Sequence, residues 1–178
     1  IVLHLAYPVI GIDRETRTVH SFKGVVCYYD ILVFATGSAA FIPSIPGIDK
    51  QGVFIYRTIE DLEMIGSFAQ HINKATVIGG GLLGLEAAKA LLDLGVRDTQ
   101  VIEYASRLMP KQIDSAGSRI LSAKLADLGL SVYTNSSTTA VLGNEWISGL
   151  QFANGEKLET EMLVISAGIR PRDELAGL

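Results

Sequence analysis

The segment Gly79-Gly80-Gly81-Leu82-Leu83-Gly84 sits between an apolar run, Ala75 to Ile78, and an amphipathic stretch from Leu82 to Leu94. No other feature limits the possible folds as tightly. Thr76, Val77 and Ile78 predict a buried parallel strand. Beyond the glycines, Gly84, Ala88 and Leu91 recur at helical spacing and predict a helix that packs on that strand. A strand, a G-x-G-x-x-G turn and a helix in this order suit a dinucleotide. Gly79 permits the tight turn, Gly81 lets a pyrophosphate approach the backbone, and Gly84 brings the helix close to the sheet. The free N–H groups at the helix start, at Leu82 and Leu83, would meet the phosphates.

Glycine-rich turns are common, so a second condition is needed. Val101-Ile102-Glu103 supplies it. After Gly95, a natural helix stop, Gln100 to Glu103 predicts a second strand that ends in a carboxylate about 20 residues beyond the last motif glycine, the spacing of a ribose ligand. Glu103 would accept hydrogen bonds from the adenosine hydroxyls and repel a 2′-phosphate, favouring NAD(H) over NADP(H). Arg107 is the competing group, a cation able to contact a 2′-phosphate, but one arginine beside a carboxylate does not reverse the preference.

With 178 residues, 48% of them hydrophobic and 19% charged, the chain suits one α/β domain with pieces of another. It opens on Ile1, which suggests an excised fragment or a processed chain, and the positions of the motifs favour the first. No apolar run reaches membrane-spanning length, so a cytoplasmic protein without a membrane partner is expected. A net charge of −4 and a pI near 5.3 argue against nucleic acid as a partner. The single cysteine, Cys27, makes neither an intrachain disulfide nor a redox pair, and its valine neighbours suggest a buried strand thiol. His4, His20 and His71 have no metal-ligand spacing, and no metal site is expected.

Ile1 to Ile12 and Thr18 to Phe22 alternate around a turn and predict a β-meander. Tyr29 to Ser38 reads as a buried strand running into a small-residue turn. Pro43, Pro46 and Gly47 then suggest a linker, with a domain boundary near residue 47. Thr58 and Asp61 form a capping-box pattern opening a helix to about Gln70. A loop from Ala105 to Ile113 precedes a helix capped by Asp114 and stopped at Gly129. The next strand is Ser131 to Thr134. From Thr138 onward, Gly143-Asn144 and Asn154-Gly155 predict hairpin turns, and a three-stranded antiparallel meander replaces a helix as one crossover. Met162 to Gly168 is a last buried strand.

Taken together, Tyr29-Asp30 through Ala35-Thr36-Gly37, the glycine motif with Glu86, Val101-Ile102-Glu103 and Ser166-Ala167-Gly168-Ile169-Arg170-Pro171 resemble the flavoprotein reductases that carry two dinucleotide-binding domains. Val53-Phe-Ile-Tyr-Arg57-Thr58, the glycine motif and Arg107-Leu-Met-Pro-Lys-Gln-Ile-Asp114 are most similar to the large subunits of NAD(P)H nitrite reductases, with rubredoxin and ferredoxin reductases as alternatives. The resemblance implies a Rossmann-like parallel sheet, with residues 48–165 as the NAD(H) domain, residues 1–47 as part of an FAD domain and residues 166–178 as a return segment towards it. It implies hydride transfer from NADH to FAD, with Glu86 on the nicotinamide carboxamide and Thr36, Gly37 and Gly168 on the flavin side. No general base is expected, because the cofactors supply the reacting atoms. An N-terminal FAD glycine motif does not occur, and siroheme and iron–sulfur ligands would lie outside this chain. The fragment alone is therefore expected to be inactive and to self-associate where the rest of the FAD domain would cover it. A methyltransferase, which also uses a glycine turn and a carboxylate, and a non-catalytic NAD-binding sensor remain competing readings.

Overall fold

A computed structural model describes residues 1–177, in two compact units: Ile1–Ala39 with the segment from Ile169 onward, and Ala40–Gly168. Leu178, the end of the expected return segment, lies outside the described residues.

In the first unit, β1 (Val9–Asp13), β2 (Thr18–Ser21) and β3 (Val26–Tyr28) form an antiparallel meander. Its first turn is held by Asp13, whose Oδ1 accepts from the N–H groups of Glu15 and Thr16. Those backbone hydrogen bonds hold the Asp13 carboxyl below its ordinary range. Three expectations fail here. Ile1 to Leu5 is not a strand, Cys27 is exposed, and Tyr29 to Phe34 runs irregularly with Ile31 84% and Val33 78% exposed. The physical reason is shared. An apolar strand of this kind is stable only when neighbours take up its hydrogen bonds and cover its faces, and the described residues offer Ile31 and Val33 none. Only Ser38–Ala40 (β4) becomes extended.

The second unit is built on a five-stranded parallel sheet. Its members are β5 (Val53–Ile55), β6 (Lys74–Ile78), β7 (Asp98–Ile102), β8 (Leu130–Tyr133) and, after the meander β9 (Thr138–Leu142), β10 (Gly149–Phe152) and β11 (Lys157–Glu159), the strand β12 (Met162–Ile165), which inserts between β5 and β6. The order is β5-β12-β6-β7-β8, and every pairing is parallel. A last strand, β13 (Ile169–Pro171), pairs with β4. The α/β class and the antiparallel crossover expected from sequence are both present.

Burial on two faces explains the unbroken apolar runs. Along β12, Met162 and Val164 pack with the helices, whereas Leu163 and Ile165 pack with Leu150, Val141 and Phe152 of the meander. Helix α1 (Ile59–Ala69) starts at the Thr58–Asp61 capping box, with both reciprocal hydrogen bonds made. Helix α2 (Leu82–Asp93) presses Leu85, Ala88 and Leu91 into the core, and α3 (Ser115–Asp127) is capped by Asp114 Oδ1 on the Gly117 N–H. The meander is tied to the start of β6 by Glu161, whose Oε2 accepts from the N–H groups of Asn73 and Lys74. Beside it, the Lys74 ammonium bonds Glu159 at 2.9 Å and holds that carboxyl below its ordinary range. This small surface contribution is present above the unfolded carboxyl pKa and fades as pH falls through the folded one.

The proline segment is part of the second unit, and the chain passes between units at Ala39/Ala40, before the residue 47 expected from sequence. Val141 N–H donates to Pro46 carbonyl, and Ile45 and Ile48 pack on the meander core. Composition marked the segment as a linker, yet its apolar residues have a face to cover.

Candidate functional site

At the carboxyl ends of β6, β7 and β12 a cleft of about 570 Å³ opens within the second unit. Gly79, Gly81, Glu103 and Gly168 line it together, with Ile78, Tyr104, Pro110, Lys111, Gln112, Ser136 to Thr138, Ser166 and Ala167, and with Phe41, Pro43 and Ile45 from in and beside the proline segment.

Each glycine of the turn meets a different demand. Gly79 has φ +120°, where side chains are strained, and a Cβ there would lie 2.2 Å from the Ser166 carbonyl oxygen. At Gly84 a Cβ would lie 1.9 Å from the Gly79 carbonyl oxygen, so the helix can sit this close to the turn only without a side chain. Gly81 is the opposite case, since a Cβ built there meets nothing within 4 Å. Space is open on the cleft side of the turn and filled behind it. Gly80, which the motif spacing does not single out, is crowded as well: a Cβ there would come within 2.6 Å of the Leu108 side chain and 2.9 Å of Glu103 Oε2, so those side chains would have to shift.

Helix α2 begins at Gly81 with no side-chain cap and no acidic residue in its first turn. Leu82 and Leu83 head it, both exposed. The helix dipole and the unsatisfied N–H groups of that first turn give an anion a favourable position there. Leu82 and Leu83 are not among the side chains lining the cleft; Leu83 faces a smaller hollow with Tyr56, Arg57 and Leu62. Gly84 is buried behind the turn, and Glu86 is exposed on α2, outside the cleft.

Glu103 follows directly on β7 and is fixed before any ligand arrives. Its Oε2 accepts from Gly80 N–H at 2.7 Å and its Oε1 from Ala105 N–H at 2.7 Å. A carboxylate has about four lone-pair sites, so two remain for hydroxyl donors. Arg107 is turned the other way: Nη2 donates to the Pro110 carbonyl at 3.0 Å, its Nε is buried without a partner, and it does not line the cleft. In the first unit, the Thr36 hydroxyl donates to the Arg172 carbonyl, and Gly37 carbonyl accepts from Arg172 N–H. Both therefore have structural partners within their own unit.

Sequence reasoning passed over Tyr104, Lys111, Gln112 and Ser136 to Thr138. Proximity to Glu103 was the available signal for the first three. Nothing local marks Ser136 to Thr138, which reach the cleft because β8 lies beside β7 and hands the chain back across its end.

The family described as pyridine nucleotide-disulphide oxidoreductase matches residues 1–178. The chain belongs to that family. It is 47% identical over 176 residues to the nitrite reductase [NAD(P)H] large subunit of Klebsiella oxytoca, a match covering 99% of this chain and 18% of that protein. Among solved structures, the NAD-dependent persulfide reductase of A. fulgidus aligns with a TM-score of 0.87 at 31% identity, over 96% of this chain and 32% of that one. The ferredoxin reductase for the CYP199A2 system of Rhodopseudomonas palustris aligns with a TM-score of 0.90 over 97% of this chain and 43% of that one; at 24% identity the likeness is one of fold. The chain thus spans under half the length of each. Among the described residues no helix is long and apolar enough to cross a membrane, and no cluster of His, Cys, Asp and Glu could hold a metal ion.

Proposed function

We propose that the cleft binds NADH and that the chain is the nucleotide-binding part of a flavin-dependent reductase, most like nitrite reductase, working in the cytoplasm. The observation that carries this reading is the asymmetry of the glycine turn: Gly79 and Gly84 are packed against backbone, and Gly81 alone faces open space at an uncapped helix start. A pyrophosphate needs that combination. The residues present fit the dinucleotide. Glu103 would hold the adenosine ribose, and the N–H groups at Leu82 and Leu83 the pyrophosphate. Gly168, which lines the cleft, and Thr36 and Gly37 would be the flavin-side residues of this reading. Glu86 would bind the nicotinamide carboxamide and set which ring face is presented.

The chemistry supplied on binding is hydride transfer from nicotinamide C4 to flavin N5, which asks the protein for alignment and not for a general base. The first unit is then a part of the flavin domain, whose remainder belongs to the longer protein, as would any siroheme or iron–sulfur cluster. The chain by itself would bind nucleotide and turn nothing over.

Glu103→Ala tests the ribose assignment. Loss of charge-assisted hydrogen bonds is expected to weaken NADH binding by about tenfold to a hundredfold. NADPH should weaken less, because a repulsive contact goes too. The same change strands the N–H groups of Gly80 and Ala105, at about 1–3 kcal/mol of stability. Calorimetry with both nucleotides, at a temperature where the variant is folded, separates the effects: an unchanged NADH to NADPH ratio places the carboxylate elsewhere.

Truncation tests the domain reading. Ile1, Val2, Leu3, Leu5, Ile31 and Val33 are all exposed apolar residues of the first unit. Surfaces of that kind associate. The whole chain is expected to form dimers or larger species in light scattering, and a chain starting near Gln51 to associate less. Equal association by both refutes it.

A further inference from the structure

We propose that Lys111 is a coenzyme-discriminating residue, giving the 2′-phosphate of NADPH a counter-charge in the cleft where Glu103 opposes it. The inference rests on the NAD(H)-site reading above and extends it to a second coenzyme.

Glu103 and Lys111 are the charged side chains among the residues lining the cleft. Glu103 is committed in part, one backbone N–H on each oxygen. Lys111 is exposed and takes part in none of the ion pairs among the described residues. An ammonium with no carboxylate partner keeps its full charge for an incoming anion.

The backbone fixes where that charge stands. Met109 N–H donates to the Gly80 carbonyl at 2.9 Å, and the Met109 carbonyl accepts from Gln112 and Ile113. Met109 itself sits at φ +46°, uncommon for a residue with a side chain, and Leu108 beside it is fully buried against Gly80. The loop is thus anchored directly to the glycine turn. Pro110 and Lys111 from this loop both line the cleft, while Arg107, the cation that the sequence offered as able to contact a 2′-phosphate, is spent on the Pro110 carbonyl. A carboxylate and an ammonium lining one cleft predict a protein that prefers NADH and still accepts NADPH.

The test is calorimetric titration of the 178-residue chain with NADH, NADPH, 5′-AMP and 2′,5′-ADP, on the parent, Lys111→Ala and Lys111→Arg. Lys111→Ala is expected to weaken NADPH and 2′,5′-ADP by roughly three- to tenfold. NADH and 5′-AMP should stay within about twofold, and Lys111→Arg should restore the 2′-phosphate ligands. Equal weakening of NADH and NADPH would put Lys111 on the pyrophosphate and overturn the proposal, as would no change in either. If the folded parent binds none of the four ligands, the site reading falls and the proposal with it. Binding by the parent with an indifferent Lys111→Ala removes the proposal alone.

Discussion

Replacing Gly81 with valine leaves the parallel-sheet unit folded and abolishes NADH binding. The backbone at Gly81 is extended, with φ −84° and ψ −179°, a conformation that a β-branched residue adopts readily. A Cβ there meets nothing within 4 Å, so no packing is lost, and the change at a helix N-cap costs at most about 1 kcal/mol. The side chain instead fills the space over the first turn of α2. With the pyrophosphate displaced from those N–H groups, an affinity loss above about a hundredfold is expected, the worth of a few strong hydrogen bonds. Circular dichroism and a thermal melt report the fold, and calorimetry the affinity. A folded Gly81→Val chain that binds NADH as the parent does would remove the glycine turn from the site.

Gly84→Ala, three residues along the same motif, has the opposite outcome. The new Cβ lies 1.9 Å from the Gly79 carbonyl oxygen and 3.0 Å from the carbon that carries it, and neither atom belongs to a flexible side chain. Helix and turn must separate, with a destabilisation of about 2–4 kcal/mol. Binding should weaken too, since the turn that moves is the one that presents Gly81. Gly66→Ala in α1 is the control, because nothing lies within 4 Å of a Cβ there. An exposed or half-exposed helical glycine gains about 0.5–1 kcal/mol on becoming alanine. Denaturant melts of the two variants should therefore shift in opposite directions. A stabilised Gly84→Ala would show that the close approach of α2 to the turn is not required.

The sequence alone determined the elements whose signals are local. The Thr58 and Asp114 caps, the alternation of the meander, the unbroken apolar strands and the glycine turn all depend on neighbours within a few residues, and the β5 to β12 unit follows from them. Local signals also brought Gly79, Gly81 and Glu103 into view as one group, because the β6–α2–β7 unit places strand ends side by side.

Tertiary structure decided what the same residue types do when their partners are remote. Tyr29 to Phe34 carries a strand pattern and remains irregular, since β pairing is made by a neighbour and not by the strand itself. Pro43 to Gly47 has a linker's composition and becomes part of the cleft wall and the meander core, because Ile45 and Ile48 find apolar partners about a hundred residues on. Arg107 and Lys111 look alike as cations near Glu103; only the folded loop, pinned by Met109 to Gly80, commits one to a carbonyl and leaves the other exposed in the lining of the cleft. Charge and spacing can be read from a sequence, but the direction of a long side chain is set by the backbone that holds it and by which acceptors that backbone brings within reach.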